Sequence, residues 1–218
     1  MKKNVLILTL LLGISSISYA QQESRTLMNK VNKWGLLLNS NVQYAEVLGE
    51  HTVFSSLKAG VVFNNSWIFG LHGGASLMEI PRRMDPVNNA EFLEFSQGGL
   101  YVEYRIMPHR LVHLSIPINV GVLHSESEFH QYGPWGPYGE DNEYVNFYLE
   151  PGINLEVNIS QYLKFQIGGS YRFNDAMFAP SNADLKIPHL PMLNAGITIG
   201  IDDIPDTYKN IKKQILNK

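Results

Sequence analysis

Four side chains of the kinds that bind metal ions alternate along one short stretch of the sequence. His124, Glu126, Glu128 and His130 occupy every second position. Because successive side chains of a β-strand point to opposite faces, a strand through this stretch would align all four on one face. Two imidazoles and two carboxylates could then hold a divalent cation. A solvated loop edge accounts for the same residues, and the sequence favours it, since residue types alone fix no ligand geometry.

His113 and Ser115 have the residue types of a hydrolase with a serine nucleophile. In that chemistry the histidine activates the hydroxyl, and an acid orients the histidine. The pair resembles part of the His-x-Ser site of lipid A 3-O-deacylases, which are also eight-stranded barrels. Ile116-Pro117 follows here instead of that family's polar continuation, and the sequence identifies no acid partner. The strand pattern also turns both residues inward, whereas that family faces its site to lipid. We therefore predict no enzyme activity, with a lipid A deacylase-like hydrolase as the alternative.

Two further groups fall in predicted external loops. Tyr132, Trp135 and Tyr138 stand among glycines and prolines, and rigid aromatic residues there suit contacts with a protein partner or a glycan. A loop that packs on itself over the barrel mouth accounts for them equally well. Arg82 and Arg83 could meet lipopolysaccharide phosphates, or they could serve only solubility.

The N-terminus has the three parts of a signal peptide. Lys2 and Lys3 give it a positive start, residues 5–12 are apolar, and Ser18-Tyr19-Ala20 is a small-x-small cleavage site. The apolar run is too short for a membrane-spanning helix, which needs about 20 residues. We predict export with cleavage near Ala20, followed by a polar periplasmic lead-in over residues 21–33. The chain has no cysteine, which excludes disulfides, thiolate metal sites and lipid attachment of the lipoprotein type.

Eight segments between Trp34 and Ile201 alternate apolar and polar residues with a period of two. Short and long connections between them also alternate. This pattern predicts an all-β fold, an eight-stranded antiparallel up-and-down transmembrane β-barrel with short periplasmic turns and long outer loops. An even number of strands leaves residues 202–218 as a periplasmic tail, with a spacing that suits a short amphipathic helix. The predicted turns are 64–66, 107–110 and 159–161, one short outer connection is 48–51, and the long loops are 78–91, 123–143 and 174–189.

Alternation alone does not decide whether the apolar face meets lipid or a soluble core, as it would in a lipocalin-like barrel. Glycines and charged residues share the polar face, and eight strands leave an interior only just filled by side chains. A lipid-facing Arg or Lys at the midplane would cost about 2–4 kcal/mol. We therefore predict that the apolar face is outside and that the lumen holds a charge network without an open pore. Its predicted members are Lys58, His72, Glu103, Arg105, Glu150, Glu156, Lys164 and Arg172.

Two prolines conflict with a continuous barrel wall. Pro117 and Pro151 fall inside predicted strands, and a closed barrel has no free edge at which a missing N–H donor is harmless. We expect β-bulges at these positions, or a locally open seam.

Four stretches carry a family resemblance: GGLYVEY at 98–104, VHLSIP at 112–117, LEPGINLE at 149–156 and GSYRF at 169–173. In them the chain resembles the outer-membrane β-barrel proteins of Bacteroidota, a loose group often labelled outer membrane protein beta-barrel domain or PorT-like. Most members of this group have no assigned activity, so the resemblance implies a fold and a Gram-negative outer-membrane location. The chain departs from many outer-membrane barrels because its last strand ends at Ile201, without their terminal aromatic residue.

These observations predict a structural or interaction protein of the cell envelope, surrounded by outer-membrane lipid and lipopolysaccharide. A protein partner could bind the outer loops or the C-terminal tail. The alternatives are the lipid A-modifying enzyme and an accessory barrel of a secretion or uptake complex. No cofactor is predicted, and a formal net charge of −3 gives no indication of a nucleic-acid partner.

Overall fold

The computed structural model describes residues 33–84, 89–131, 142–178 and 189–204. All of them belong to Asn32–Lys218, one of the two compact units into which the chain divides. The predicted signal peptide, most of the lead-in and the tail beyond Ile204 lie outside the described residues. Within the described ranges, no helix is long and apolar enough to cross a membrane.

Strands make up almost all of the described chain, and they pair antiparallel in the order of the sequence. Pairing of β1 with β9 and of β3 with β5 closes eight strands into a ring, while the short β4 continues the line of β3 along β5. The predicted eight-stranded antiparallel barrel is therefore confirmed. The strands are β1 (Trp34–Val47), β2 (Glu50–Phe63), β3 (Trp67–Ser76), β4 (Ile80–Met84), β5 (Asn89–Ile106), β6 (Val112–Gln131), β7 (Asn142–Asn158), β8 (Leu163–Phe178) and β9 (Leu190–Ile201).

The register of the strand pairs determines the width of the barrel. A path that starts at Tyr44 and steps from each residue to its partner on the next strand goes once around the ring. It returns to β1 ten residues earlier, at Trp34. This offset tilts the strands, and together with the number of strands it fixes the diameter. Eight strands leave an interior just wide enough for side chains to fill. We call the end with the short turns after β2, β5 and β7 the turn end, and the opposite end the loop end.

Exposure alternates residue by residue along the strands, and the apolar residues are the exposed ones. Along β1, Leu36 and Leu38 are 51% and 53% exposed, whereas Asn39 and Asn41 are buried. This confirms the predicted orientation and is the reverse of a soluble barrel. We call the outward apolar side chains the apolar belt; it includes Leu36, Leu38, Val42, Tyr44, Leu57, Phe69, Leu71, Leu100, Tyr104, Leu114, Ile118, Val122, Phe147, Leu149, Ile153, Leu155, Ile167, Phe173, Leu193, Ile197 and Ile199.

Two tight turns use the left-handed backbone conformation. Leu48 and Gly49 have φ values of 56° and 88°, and Asn64 and Asn65 have values of 49° and 64°. Two successive positive φ values indicate a type I′ turn, the turn whose twist matches that of paired strands. In the second turn the Ser66 N–H donates to the Phe63 carbonyl at 3.1 Å. Asparagine tolerates this conformation, which explains the Asn-Asn pair.

The strands extend further toward the loop end than the sequence indicated. The predicted loop 78–91 contains β4 and the start of β5, 123–143 contains parts of β6 and β7, and 174–189 contains the end of β8. The predicted bounds of the long loops are therefore too wide, because strands occupy much of these ranges. At Glu94, Glu126 and Asp175, where side chains are described, alternation continues with polar residues outward, so a search for an apolar outer face does not detect it.

The interior is apolar at the loop end. Leu93, Phe95 and Leu123 point inward and are at most 3% exposed, while Glu94 and Glu126 on the same strands are exposed. This part of the barrel has the pattern of a water-soluble protein, with apolar residues inside. The prediction of a polar interior therefore fails at this end. The cluster, which we call the apolar cap, contains Ala45, Val47, Phe54, Ile80, Leu93, Phe95, Leu123, Tyr144, Tyr148, Leu190 and Met192.

The two prolines open the wall locally without changing its register. Ser115 pairs with Asn154 and Ile118 with Pro151, which is the same register on both sides of an interrupted ladder. A Cβ added at Gly152 would meet the ring of Pro117 at 3.3 Å, so the prolines share one region of the wall. Of the two expected outcomes, the open seam is confirmed and a bulge at the prolines is not. The register shift of β7 lies elsewhere, between Val145 and Asn146.

Candidate functional site

The polar part of the interior consists of two layers below the apolar cap. Each takes side chains from several strands, because inward positions of all eight converge on a narrow lumen. The turn-end layer contains Glu103, Arg105, His113, Glu156, Lys164 and Asp202. The middle layer contains Gln43, Lys58, Asn119, Glu150, Ser170 and Arg172. A small apolar cluster of Leu37, Val62, Ile68 and Tyr101 is also buried in the interior.

Arg105 is the centre of the turn-end layer. Its guanidinium lies 3.2 Å from both Glu103 and Glu156, and its Nη1 lies 3.3 Å from Asp202. Lys164 forms a second ion pair with Asp202. Opposite charges therefore alternate across the lumen, which offsets the cost of removing each from water.

Glu150 is the centre of the middle layer. One carboxylate oxygen accepts hydrogen bonds from Gln43 at 2.8 Å, Ser170 at 2.9 Å and Asn119 at 3.2 Å. The other oxygen accepts from the Arg172 guanidinium, at 2.8 Å from Nε and also from Nη2. The Lys58 ammonium donates to the Asn119 amide oxygen at 3.1 Å, which links a third charged group to this layer. Glu150 is thus fully partnered by protein donors, as a buried carboxylate requires.

Aromatic rings join the middle layer to the apolar cap. The Arg172 guanidinium lies 4.5 Å from the ring centre of Tyr148 and 5.5 Å from that of Phe54. The Tyr148 hydroxyl lies 3.0 Å from Nε2 of His72. Such cation–ring contacts favour a buried guanidinium. Charged and apolar layers therefore pack against each other directly.

The eight residues predicted for the lumen are all inward and at most 8% exposed. The structure divides them between the layers: Glu103, Arg105, Glu156 and Lys164 meet at the turn end, and Lys58, Glu150 and Arg172 in the middle. His72 pairs with Lys58 across β2 and β3 and contacts the Tyr148 hydroxyl. Asp202, predicted to be in the tail, also belongs to the turn-end layer, and the amides of Gln43 and Asn119 join the middle layer beyond the predicted network. The signal was available in each case, because all three follow the inward parity of their strands.

His113 has an acid partner that the sequence did not identify. Its Nε2 lies 2.9 Å from the Glu156 carboxylate, because the two residues face each other across β6 and β7. Ser115 lies on the same inward face and has no exposed surface. Both residues are thus buried in the interior. The pair is therefore part of the turn-end layer.

The alternating His and Glu residues do lie on a strand. β6 continues to Gln131, and His124 and Glu126 face outward just beyond the apolar belt. His124 lies 3.4 Å from Glu126 and 3.8 Å from Glu143 of β7. Among the side chains that the structure describes, no group of three or more His, Asp or Glu is arranged to hold a metal ion. The side chains of Glu128 and His130 lie outside that set.

The remaining candidates fall partly or wholly outside the described residues. Tyr132, Trp135 and Tyr138, the predicted partner loop, lie outside them. Arg82 and Arg83, predicted to be in a loop, belong to β4, and their side chains are not among those described.

Comparison with known proteins shows the fold. No family model and no curated protein sequence matches the chain. Among solved structures, the attachment invasion locus protein Ail of Yersinia pestis is similar with a TM-score of 0.51 and 13% identity, over 78% of this chain and 99% of Ail. A major outer membrane protein from Thermus thermophilus is similar with a TM-score of 0.51 and 8% identity, over 76% of this chain and 99% of that chain.

Proposed function

We propose that the protein is an integral barrel of a Gram-negative outer membrane, with its apolar belt in the bilayer. The observation that carries this proposal is the inversion of the barrel: Leu71, Ile153 and Leu193 are 63%, 62% and 66% exposed, while Arg105 and Arg172 are 1% exposed. A continuous apolar surface of this kind promotes aggregation in water, and it suits hydrocarbon. The turn end would face the periplasm and the loop end the exterior, as in barrels with short periplasmic turns.

The pattern also argues against a soluble periplasmic barrel. A lipocalin-like barrel encloses its apolar residues and presents its charges to water. Here that arrangement occurs only at the loop end, where the apolar cap is inside and Glu94 and Glu126 are outside. We infer that the loop end projects from the membrane into water, and that the bilayer ends where the outward residues change from apolar to charged.

For its role, we propose a structural or interaction protein without an open pore. The two charged layers and the apolar cap occupy the lumen in series, which favours anchoring over passage of solutes. Its surroundings would be outer-membrane lipid and lipopolysaccharide, and a protein partner would bind the outer loops or the C-terminal tail. We propose no enzymatic activity, because His113 and Ser115 face the packed interior; lipid A with the same mass in cells with and without the gene would support this.

The first test of location is fractionation combined with gel mobility. We expect the mature chain, cleaved near Ala20, in the outer-membrane fraction, released only by detergent. A folded barrel should migrate differently before and after boiling, because the closed ring resists detergent until heated. N-terminal sequencing of the purified protein checks the cleavage site. Recovery of the protein in the aqueous periplasmic extract, with no change of mobility on boiling, would contradict the proposal.

A further inference from the structure

A groove on the outer surface lies at the margin of the apolar belt, between β7, β8 and His189, the residue before β9. Its volume is about 450 Å³, and its lining consists of Phe147, Leu149, Phe173, Asn174, Asp175 and His189. This volume falls within the range of roughly 300–1,000 Å³ that small-molecule sites occupy. The groove is outside the barrel wall and separate from the charged layers of the lumen.

The floor of the groove is apolar and belongs to the belt. Phe147, Leu149 and Phe173 are between 40% and 45% exposed. Leu149 pairs directly with Phe173 across β7 and β8, and Phe147 pairs with Asp175 one step nearer the loop end. The apolar floor is therefore continuous with the surface proposed to contact hydrocarbon, and its polar side faces the aqueous exterior.

The rim of the groove offers one hydrogen-bond donor and one acceptor. The Asn174 backbone N–H donates to Nδ1 of His189 at 3.1 Å, and the imidazole packs on Phe173 with ring centres 5.7 Å apart. Because Nδ1 accepts this bond, Nε2 carries the ring hydrogen and is the donor that remains. The exposed Asp175 carboxylate supplies acceptors and repels phosphate. This combination fits a hydroxyl or amide group.

We propose that the groove binds one acyl chain of an outer-leaflet lipid whose polar end carries hydroxyl or amide groups. The chain lies on Leu149 and Phe173, and the polar end meets His189 and Asp175. This inference rests on the proposed function, since it requires the belt to lie in a membrane. It adds a defined position and a headgroup preference to what would otherwise be uniform contact with lipid.

The test compares two matched variants of belt residues. Leu149→Trp fills the groove, whereas Leu100→Trp places the same side chain on an exposed belt position of β5, outside the groove lining. Each folded barrel is transferred to amphipol and titrated with dodecyl maltoside below its micelle concentration. Native mass spectrometry then measures the fraction that retains one molecule. We expect roughly tenfold less retention for Leu149→Trp than for wild type or Leu100→Trp, as loss of a chain-sized apolar contact predicts.

The headgroup preference is tested with dodecyl phosphate, which has the same chain and a charged end. Wild type should retain dodecyl maltoside in preference, and Asp175→Asn should reduce that preference by removing the repulsion of phosphate. Equal retention by wild type and Leu149→Trp, or equal retention of the two probes by wild type, overturns the inference. Heat-modifiable mobility is recorded for every variant. A wild-type chain that does not form a membrane barrel contradicts the proposed function, and this inference with it.

Discussion

Glu150 illustrates how a single buried charge is stabilised in this lumen. Its partners come from β1, β6 and β8, so three strands depend on one carboxylate for their inward hydrogen bonds. A buried ion pair adds little stability over apolar residues of the same shape, but breaking it leaves an uncompensated charge. Glu150 therefore affects the stability of the barrel mainly when one of its partners is removed and its charge stays buried.

We predict that Arg172→Met destabilises the barrel by about 3–5 kcal/mol, because Glu150 then remains buried without its cation. The measurement is urea unfolding in lipid vesicles, followed by gel mobility. The control is Glu150→Gln combined with Arg172→Met, which removes the carboxylate that the single variant leaves without its guanidinium partner and leaves Lys58 unchanged in both variants. The double variant should be more stable than the single variant. Equal stability of the two would show that charge compensation does not govern this site.

A close approach of two strands gives a second residue-scale prediction. Gly99 and Gly121 pair across β5 and β6, and a Cβ on Gly99 would lie 2.1 Å from the Val120 carbonyl oxygen and 2.6 Å from Gly121 Cα. Because backbone atoms cannot move aside easily, Gly99→Ala should cost about 1–3 kcal/mol, as overpacked cores do. The neighbouring Gly98→Ala is the control, since its added Cβ would meet only the His72 carbonyl, at 3.8 Å. Equal unfolding midpoints for the two variants would refute this account.

At the scale of the element, β5 shows where the environment changes along one strand. Leu100 and Tyr104 face outward near its turn end, with Arg105 and Glu103 inward. Toward the loop end the outward residues include Glu94 and Ser96, and the inward residues Leu93 and Phe95 are apolar. Along this one strand, the polar and apolar residues thus exchange faces once. We interpret the reversal as the outer edge of the bilayer.

Arginine substitutions along the outer face of β5 test this interpretation. Leu100→Arg should destabilise the vesicle-inserted barrel by about 2–4 kcal/mol, because it puts a charge in hydrocarbon. Ser96→Arg, on the same face but beyond the belt, should cost no more than about 1 kcal/mol. Urea unfolding of both variants in vesicles measures the difference. A soluble barrel would tolerate both changes alike, so equal stabilities would argue against a membrane position for the belt.

The elements also show what the sequence could predict. Period-two alternation found all the belt-crossing segments, because the apolar outer face and the narrow polar lumen require opposite polarity of successive residues. It missed β4 and the parts of β5–β8 that continue toward the loop end, where the interior is apolar and the outward residues include charged ones. The hydrogen-bond partners of the buried charged residues could not be predicted either. Gln43 and Glu150 are 107 residues apart, and only the register of the closed ring brings them together.

For the whole molecule, the three layers of the lumen act in series. The ion pairs around Arg105 lie at the turn end, the hydrogen bonds to Glu150 lie in the middle, and the apolar cap lies at the loop end. Each layer draws on strands from different parts of the ring, so the interior also ties the wall together. An ion crossing this lumen would have to displace all three layers.

The three layers in series predict that the purified barrel conducts no ions in planar bilayers. We expect no stable unit conductance from the wild type, because an eight-stranded interior filled by side chains leaves no water column. Asp202→Asn removes the carboxylate that both Arg105 and Lys164 contact, and so weakens the turn-end layer alone. This variant should be silent too, since the middle layer and the apolar cap still close the lumen. Stable, sizeable conductance from the wild type would contradict the plugged interior, and conductance from Asp202→Asn alone would show that the turn-end layer is the only effective seal.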